Sequence, residues 1–224
     1  RHFFTDFRYD EQSQAQLDAT WERHIVVDSI AAAGELLAER QSGRPLRVGF
    51  DDAELSVSRH RALQKACGDG IELVEAAGIV EDLRAVKDAA EIEAIAAAAA
   101  LGDAVLTEVL GRGLVGRTEQ EVATDIELTA RRMGASGLSF SPIVASGPHG
   151  ALPHAEPRDV EIAKDLLVTI DWGVELGGYA SDCTRTFATG EISDQERAVY
   201  ELVLAAEEAA LAACRAGVGG KELD

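Results

Sequence analysis

The chain of 224 residues contains no asparagine, so it has no acceptor for N-glycosylation. Its three cysteines, Cys67, Cys183 and Cys214, are odd in number and widely spaced, with no Cys-x-x-Cys pair. This pattern fits free thiols in a reducing compartment better than a disulfide framework. The N-terminus also lacks a signal-peptide pattern, so a cytoplasmic location is the expectation.

Basic residues are scarce, because 21 lysines and arginines stand against 40 aspartates and glutamates, for a formal net charge of -19. So acidic a surface repels phosphate backbones, and we expect no nucleic-acid partner.

Long apolar runs are lacking too: the longest, Ile95 to Leu101, is mostly alanine and far too short to span a bilayer. No membrane partner is expected. The length of 224 residues is enough for one large domain or two ordinary ones, and the 46% hydrophobic content is ample for a core.

The first third of the chain alternates strand-like and helical segments. His2–Tyr9 and Leu46–Phe50 are strand-like, and Ser29–Arg40 between them has the pattern of an amphipathic helix. Such alternation is typical of an α/β layer built on crossover connections. The stretch from residue 76 to 86 indicates a boundary. We therefore expect an N-terminal domain of residues 1–81 and a second domain of residues 82–224.

The second domain is predicted to contain three stronger helices, each opened by a capping residue with a glutamate three positions later. These starts are Asp88 with Glu91, Thr118 with Glu121, and Ser193 with Glu196. Between the second and third helices lies a β-rich block, Leu138–Phe187. Every chemically suggestive residue falls in that block.

Three weaker motifs have simpler structural explanations. Gly111-Arg-Gly-Leu-Val-Gly116 matches a nucleotide-binding string, but it follows a helix rather than a strand, so it is interpreted as a helix stop and loop. Ser146 lacks the first glycine of a nucleophile elbow and is interpreted as a turn serine. Cys183 is interpreted as a structural thiol rather than a nucleophile.

The segment from Asp171 to Asp182 predicts a β-hairpin, since Glu-Leu-Gly-Gly stands between two strand-like runs. With Leu176 and Gly177 as the loop, Asp171 pairs directly with Asp182, their Cβ atoms about 4.5–5.5 Å apart. Carboxylates so close repel, unless a shared proton, an arginine or a cation offsets the repulsion. Arg185 is predicted to face the opposite side of the strand. Converging carboxylates suit divalent metals, and a solvated turn aspartate is the alternative.

Upstream, His154 stands between Pro153 and Pro157 in a loop rich in proline and glycine. An imidazole held in this way can donate to a developing charge or shuttle a proton. The other histidines are interpreted as surface residues: His2, His24, His60 and His149.

Together these motifs resemble the pita-bread metallopeptidases, meaning aminopeptidase P, prolidase and methionine aminopeptidase, with creatinase as a metal-free relative. The resemblance is carried by Phe140-Ser-Pro-Ile-Val-Ala-Ser-Gly147, Leu152-Pro-His-Ala-Glu-Pro157, Asp171-x-Gly173 and Gly178-Tyr-Ala-Ser-Asp-Cys-Thr-Arg-Thr-Phe187. Two further segments are similar to parts of the Xaa-Pro branch: Thr5–Gln12 and Leu83–Ile92. The resemblance covers nearly the whole chain.

The resemblance implies an α/β N-terminal domain and an α+β pita-bread catalytic domain. It implies Asp171 and Asp182 as metal ligands, with Asp182 as the bridging carboxylate, and His154 as the catalytic histidine that steadies a tetrahedral intermediate. The implied cofactors are two divalent ions, Mn²⁺ first and Co²⁺ or Zn²⁺ as alternatives, whose bridging water attacks an Xaa-Pro bond. The implied partners are a peptide with proline at its second position and a second copy of the chain in a homodimer.

The family completes its site with a histidine and two glutamates that follow Asp182 on later strands. After Phe187 this sequence has one predicted helix, a turn and no histidine. The catalytic domain is therefore expected to be incomplete, and the chain alone a poor catalyst. Aminopeptidase P and prolidase both stay open. A non-catalytic peptide-binding or protein-binding module and a creatinase-like amidinohydrolase are further alternatives, which the retained aspartates disfavour.

Overall fold

A computed structural model of the chain describes residues 1–223. The chain divides into two compact units with the border between Val86 and Lys87. This border differs from the one placed after residue 81, because the short helix at Ile79–Ala85 belongs to the first unit.

The first unit alternates strands and helices. Its elements are β1 (His2–Thr5), α1 (Asp10–Gln16), β2 (Glu22–Ile25), α2 (Ser29–Arg40), β3 (Leu46–Phe50), α3 (Val57–Cys67), β4 (Ile71–Glu75) and α4 (Ile79–Ala85). Strand β1 pairs with β2 and β3 pairs with β4, both in parallel, and a helix connects the strands of each pair. The predicted α/β arrangement is confirmed. The first strand is shorter than predicted, because Phe7–Tyr9 forms a 3₁₀ helix capped by Asp6.

A small core holds the first unit together. Leu63, Cys67 and Ile71 are buried, from the end of α3 and the start of β4. Gly34 brings α2 close to α3, since a Cβ at this position would lie 2.4 Å from the Cβ of Ala66. A larger residue there would force the two helices apart.

The second unit combines long helices with two small antiparallel sheets. Its elements are α5 (Ala89–Gly111), α6 (Glu119–Arg132), β5 (Gly137–Leu138), β6 (Ile143–Ser146), β7 (Leu167–Trp172), β8 (Val174–Leu176), β9 (Tyr179–Ala180), β10 (Cys183–Ala188), α7 (Asp194–Ala213) and α8 (Gly220–Leu223). The strand orders are β10-β7-β6 and β5-β8-β9. The prediction of a β-rich block between the second and third long helices is confirmed.

All three predicted capping boxes are present, at the starts of α5, α6 and α7. At α6, for example, Thr118 Oγ1 accepts from the Glu121 amide at 3.1 Å, and Glu121 Oε2 accepts from the Thr118 amide at 2.8 Å. Such a cap contributes about 0.5–2 kcal/mol to helix stability. The same cap fixes the position of the next residue, Glu119, at the first turn of α6.

Helix α5 is long and apolar enough, by length and composition alone, to cross a bilayer. The uninterrupted apolar run from Ile95 to Leu101 is only the alanine-rich centre of this helix. In the structure one face of α5 is buried, with Ala98, Val105, Leu106 and Val109 inaccessible or nearly so. A core helix has the same length and composition, since burial against a sheet requires the same apolar residues.

The side chains of strand β7 alternate between the core and the opposite face of its sheet. Val168, Ile170 and Trp172 alternate along it and are buried against the helices. Trp172 Nε1 also donates to the Gly102 carbonyl of α5 at 2.9 Å. This alternation directs Asp171 away from the core. The outward face continues into a groove of about 800 Å³ beside α7.

Candidate active site

The hairpin that carries the two predicted ligands has a different register from the one expected. Its loop is Gly177–Gly178, Leu176 pairs with Tyr179, and Asp171 pairs with Thr184. The predicted direct pairing of Asp171 with Asp182 was therefore wrong. Both glycines have positive φ, 58° and 84°, as a two-residue type I′ turn requires. Leucine is disfavoured at such a position, which is why the turn lies one residue later.

The shift does not change the face on which the two aspartates lie. Moving the loop by one residue displaces the partner of Asp171 by two positions, and side chains alternate with period two. Asp182 lies in the gap between β9 and β10, diagonal to Asp171. Diagonal neighbours have Cα atoms about 7–8 Å apart, with side chains still within reach of each other.

Gly173 allows the strands to approach closely at this point. A Cβ on Gly173 would lie 2.0 Å from the Ser181 carbonyl oxygen and 2.1 Å from Ser139 Oγ. The Ser139 hydroxyl donates to the same Ser181 carbonyl at 2.7 Å. The Asp-x-Gly motif thus combines an outward aspartate with a glycine that admits the neighbouring backbone.

Asp171 is held by a hydroxyl rather than by an arginine. Thr184 Oγ1 donates to Asp171 Oδ1 at 2.8 Å. Arg185 donates instead to the Thr184 carbonyl oxygen. Within residues 1–223, no hydrogen bond to Asp171 Oδ2 is recorded. That oxygen remains available for a ligand.

One cavity of about 420 Å³ brings the three predicted site residues together: His154, Asp171 and Asp182 all line it. Apolar side chains form another part of its wall, namely Phe140, Pro142 and Ile143. Ile143 is adjacent to Asp171, since β6 pairs with β7 at this position. Two carboxylates and an imidazole beside an apolar wall are a donor set suited to divalent metal and a small substrate.

A buried carboxylate that the sequence did not reveal lies beneath the His154 loop. Glu119 is fully buried and accepts hydrogen bonds from Ser146, His149 and Arg158. The surface interpretation of His149 was therefore wrong, because its side chain is only 9% exposed. In the sequence, Glu119 is indistinguishable from an ordinary first-turn glutamate, and its partners lie 27 to 39 positions away.

The environment of Glu119 keeps it ionised. Burial alone would raise the pKa of this carboxyl, but hydrogen bonds from Arg158 and Ser146 outweigh burial. The pKa of Glu119 is held well below its usual range. A carboxylate with this many donors is thus ionised at neutral pH.

Cys183 lies beside the site, but its environment does not suit a nucleophile. Burial raises the pKa of its thiol, so the thiolate is disfavoured. It pairs in register with the buried Trp172. The structural interpretation of this cysteine is supported.

The first unit contains a separate group of possible metal ligands, His2, Glu22 and His24, whose ligand atoms lie within 4.8 Å of one another. Both histidine side chains are mostly buried, contrary to the surface interpretation. Arg40 donates to His2 Nε2, so in the neutral ring Nδ1 carries the proton and donates to His24 Nε2 at 2.9 Å. This arrangement is a hydrogen-bonded cluster. The positive charge of Arg40 beside His2 would repel a metal cation.

Comparison with known families settles the class of the chain. The model of metallopeptidase family M24 matches residues 93–224, more than half of the sequence. The chain belongs to metallopeptidase family M24. The creatinase/prolidase N-terminal domain matches residues 1–86 of this M24 chain, the span of the first unit.

Curated relatives of the M24 chain carry peptidase names. An uncharacterized peptidase of Bacillus subtilis is 34% identical over 226 residues, covering 99% of the chain and 62% of the relative. The Xaa-Pro dipeptidase of Pyrococcus furiosus is 37% identical over 146 residues, covering 65% of the chain and 42% of the relative. The M24 chain thus spans less than two thirds of the length of these relatives.

Solved structures agree on the fold. The X-Pro aminopeptidase of Thermotoga maritima superposes with a TM-score of 0.89 at 33% identity, and the Xaa-Pro dipeptidase of Bacillus anthracis with 0.91 at 34%. Both matches cover 100% of this chain, and 62% and 61% of the respective structures. The expected fold, a creatinase-type N-terminal domain followed by a pita-bread domain, is confirmed.

Proposed function

We propose that the whole protein is a metal-dependent exopeptidase that hydrolyses Xaa-Pro peptide bonds. The observation that carries this proposal is the convergence of His154, Asp171 and Asp182 on one cavity. The names of the relatives, Xaa-Pro dipeptidase and X-Pro aminopeptidase, support the same substrate class. Retention of both aspartates argues against a non-catalytic binding module and against a creatinase-like amidinohydrolase.

Asp171 and Asp182 would hold the metal in this proposal. Thr184 fixes one oxygen of Asp171 and leaves Oδ2 for an ion. Asp182 would be the bridging carboxylate, and a histidine and two glutamates on strands after Asp182 would complete the ligand set. When bound, two divalent ions, Mn²⁺ first and Co²⁺ or Zn²⁺ as alternatives, lower the pKa of a bridging water and polarise the scissile carbonyl.

His154 would act on the substrate within the same cavity as the two aspartates. An imidazole there can donate a hydrogen bond to the oxygen that gains negative charge as the carbonyl becomes tetrahedral. The apolar wall of Phe140, Pro142 and Ile143 offers a surface against which a proline ring can pack without leaving a polar group unpaired.

Further features of the proposal concern the assembly and the substrate length. We propose a homodimer, as the Xaa-Pro branch implies, and a cytoplasmic location, which the pattern of free cysteines favours. Aminopeptidase P and prolidase differ in whether a third substrate residue is accommodated. Comparing the cleavage rates of an Xaa-Pro dipeptide and an Xaa-Pro tripeptide distinguishes the two.

The first test is Asp171→Ala in the whole protein. The parent protein, loaded with Mn²⁺, should release the first residue from an Xaa-Pro peptide, measured by liquid chromatography. Asp171→Ala should lower kcat/KM by at least about 100-fold, since loss of a second-layer partner alone typically costs 10–100-fold. Asp69→Ala, which removes an exposed carboxylate of the first unit, is the matched control and should keep full activity.

Two outcomes would overturn the proposal. One is the absence of cleavage by the metal-loaded parent protein. The other is full activity of Asp171→Ala under conditions in which Asp69→Ala is equally active.

A further inference from the structure

We propose that Glu119 is a positioning residue that fixes the loop carrying His154, so that the imidazole faces the metal ligands. The inference rests on the proposed function for the role of His154. The loop comprises residues 147–157, between the end of β6 and Arg158, and we call it the histidine loop. Glu119 lies outside it, at the first turn of α6.

Glu119 holds the beginning of the histidine loop through Ser146. The Ser146 amide donates to Glu119 Oε1 at 2.8 Å, and the Ser146 hydroxyl donates to the same oxygen at 2.7 Å. Ser146 is the last residue of β6, which pairs with β7. The carboxylate therefore fixes the point at which the chain leaves the sheet.

The same carboxylate holds the end of the loop through Arg158. The Arg158 amide and Nε each donate to Glu119 Oε2 at 3.0 Å, and Arg158 Nη2 donates to Oε1 at 2.9 Å. This is a two-pronged arginine–carboxylate pair with an added backbone bond, an arrangement that restricts both orientation and distance. His149 Nδ1, inside the loop, contacts Oε2 at 3.1 Å.

Burial makes these contacts costly to replace. Glu119 is 0% exposed, so water cannot take over the bonds of any donor that loses its carboxylate partner. A buried donor without a partner costs about 1–3 kcal/mol, and more if it is charged. Glutamine in the same place would present an N–H group to donors on at least one side.

His154 itself has no comparable anchor. Among residues 1–223, no side-chain hydrogen bond to its imidazole is recorded. Its placement depends on the backbone of the loop, where the neighbouring Ala155 is buried at 3% exposure. The carboxylate that holds both ends of the loop thus sets the position of an imidazole it does not touch.

A small displacement of that imidazole is enough to affect the reaction. A misplacement of about 1 Å costs up to about 10²-fold in rate when a catalytic group must meet the transition state. The proposed metal ligands Asp171 and Asp182 belong to the hairpin, and within residues 1–223 neither shares a hydrogen bond with Glu119. Loss of Glu119 should therefore reduce kcat without loss of metal binding.

The test is a double-mutant cycle in the metal-loaded whole protein with Glu119→Gln and His154→Ala. Glu119→Gln alone should lower kcat by about 10–100-fold, with KM and Mn²⁺ affinity changed by less than about threefold. In the His154→Ala background the same substitution should lower kcat by less than about threefold, because the displaced group is already gone. Equal losses in both backgrounds would overturn the inference.

Two further variants guard against a general loss of folding. Arg158→Met removes the guanidinium donors from a half-exposed side chain and should lower kcat by about 3–10-fold in the same non-additive way. Glu121→Gln, two positions from Glu119, preserves the capping box, which accepts glutamine, and should leave kcat unchanged.

Hydrogen exchange separates this inference from the proposed function. In Glu119→Gln the hydrogen-bonded amides of residues 147–157, such as that of Leu152, should exchange at least about tenfold faster, whereas the amides of β7 and α5 should keep their parent rates. Inactivity of the parent protein would overturn the proposed function and leave exchange to decide this inference. Unchanged exchange in residues 147–157 would overturn the inference, whatever the activity.

Discussion

Thr184 illustrates how much of the candidate site depends on a single hydroxyl. Its Oγ1 donates to Asp171 Oδ1 at 2.8 Å, from the opposite strand of the hairpin. One carboxylate oxygen is thereby oriented, in a residue that lines the cavity. Groups that orient a ligand in this way typically contribute a factor of about 10–100 in metal affinity.

Thr184→Val should therefore weaken Mn²⁺ binding to the whole protein by about 10-fold. Valine keeps the β-branched shape that a strand favours, so the fold should persist. Isothermal titration calorimetry measures the affinity directly. Thr186→Val is the matched control, since its hydroxyl contacts Thr169 at 3.1 Å on the same face and should leave Mn²⁺ affinity unchanged. Equal affinities for both variants would contradict the assigned role of Thr184.

Single residues also mark the limit of prediction from sequence. His154, Asp171 and Asp182 were found because each stands in a motif with a fixed spacing, and the cavity brings all three together. Glu119 and Arg158 stand in no such motif. Their contact joins positions 39 apart, and only the folded chain brings them within hydrogen-bonding distance.

Among the elements, the helix starts were predictable and the hairpin register was not. A capping box is a local interaction over four residues, so Asp88, Thr118 and Ser193 identify their helices directly. The alternating pattern of a strand determines which face of the sheet each side chain lies on, but not which residue it pairs with. A register shift of two residues leaves every side chain on the same face. The turn decides the register, and Gly177–Gly178 outcompetes Leu176–Gly177 because both positions need positive φ.

The hairpin also depends on Gly173, so Gly173→Ala should destabilise it. A Cβ there would overlap the Ser181 carbonyl oxygen at 2.0 Å, which the backbone must move to relieve. Overpacking of this kind costs about 1–3 kcal/mol, and occasionally more. Urea unfolding followed by circular dichroism measures the loss.

The control for Gly173→Ala is Gly137→Ala in β5. A Cβ at Gly137 would meet no atom within 4 Å, and Gly137 does not have positive φ. Its stability should stay within about 0.5 kcal/mol of the parent, as for most unobstructed surface changes. If both variants lost the same stability, the close approach of Ser181 would not be the cause.

For the whole molecule, acid stability follows from the buried carboxylate. Glu119 stays ionised in the folded state, with a pKa well below its usual range, whereas the unfolded chain takes up a proton near pH 4.3. Its stabilising contribution is therefore complete above about pH 4.3 and is lost progressively as the pH falls from there toward the folded-state pKa. Acidification also weakens the electrostatic repulsion within a chain of net charge -19. This second effect is nearly the same in the parent and in a single-residue variant.

Comparing parent and Glu119→Gln isolates the contribution of this one carboxylate. Between about pH 5 and 3.5 the parent should lose stability more steeply, by up to about 1.4 kcal/mol per pH unit, since glutamine does not titrate. The sequence has two tryptophans, one in each unit. In a Trp21→Phe background, fluorescence of the buried Trp172 during urea unfolding reports the second unit alone. Parallel pH profiles for the two proteins would contradict the role assigned to Glu119.

Strand β7 has one further consequence, for the variety of activities within the family. Its inward residues build the core and its outward residue Asp171 lines the cavity, so neighbouring positions are under different physical constraints. Substitutions on the outward face can alter chemistry while the inward face keeps the protein folded. An X-Pro aminopeptidase and an Xaa-Pro dipeptidase share this fold, so a single scaffold can carry differently named activities.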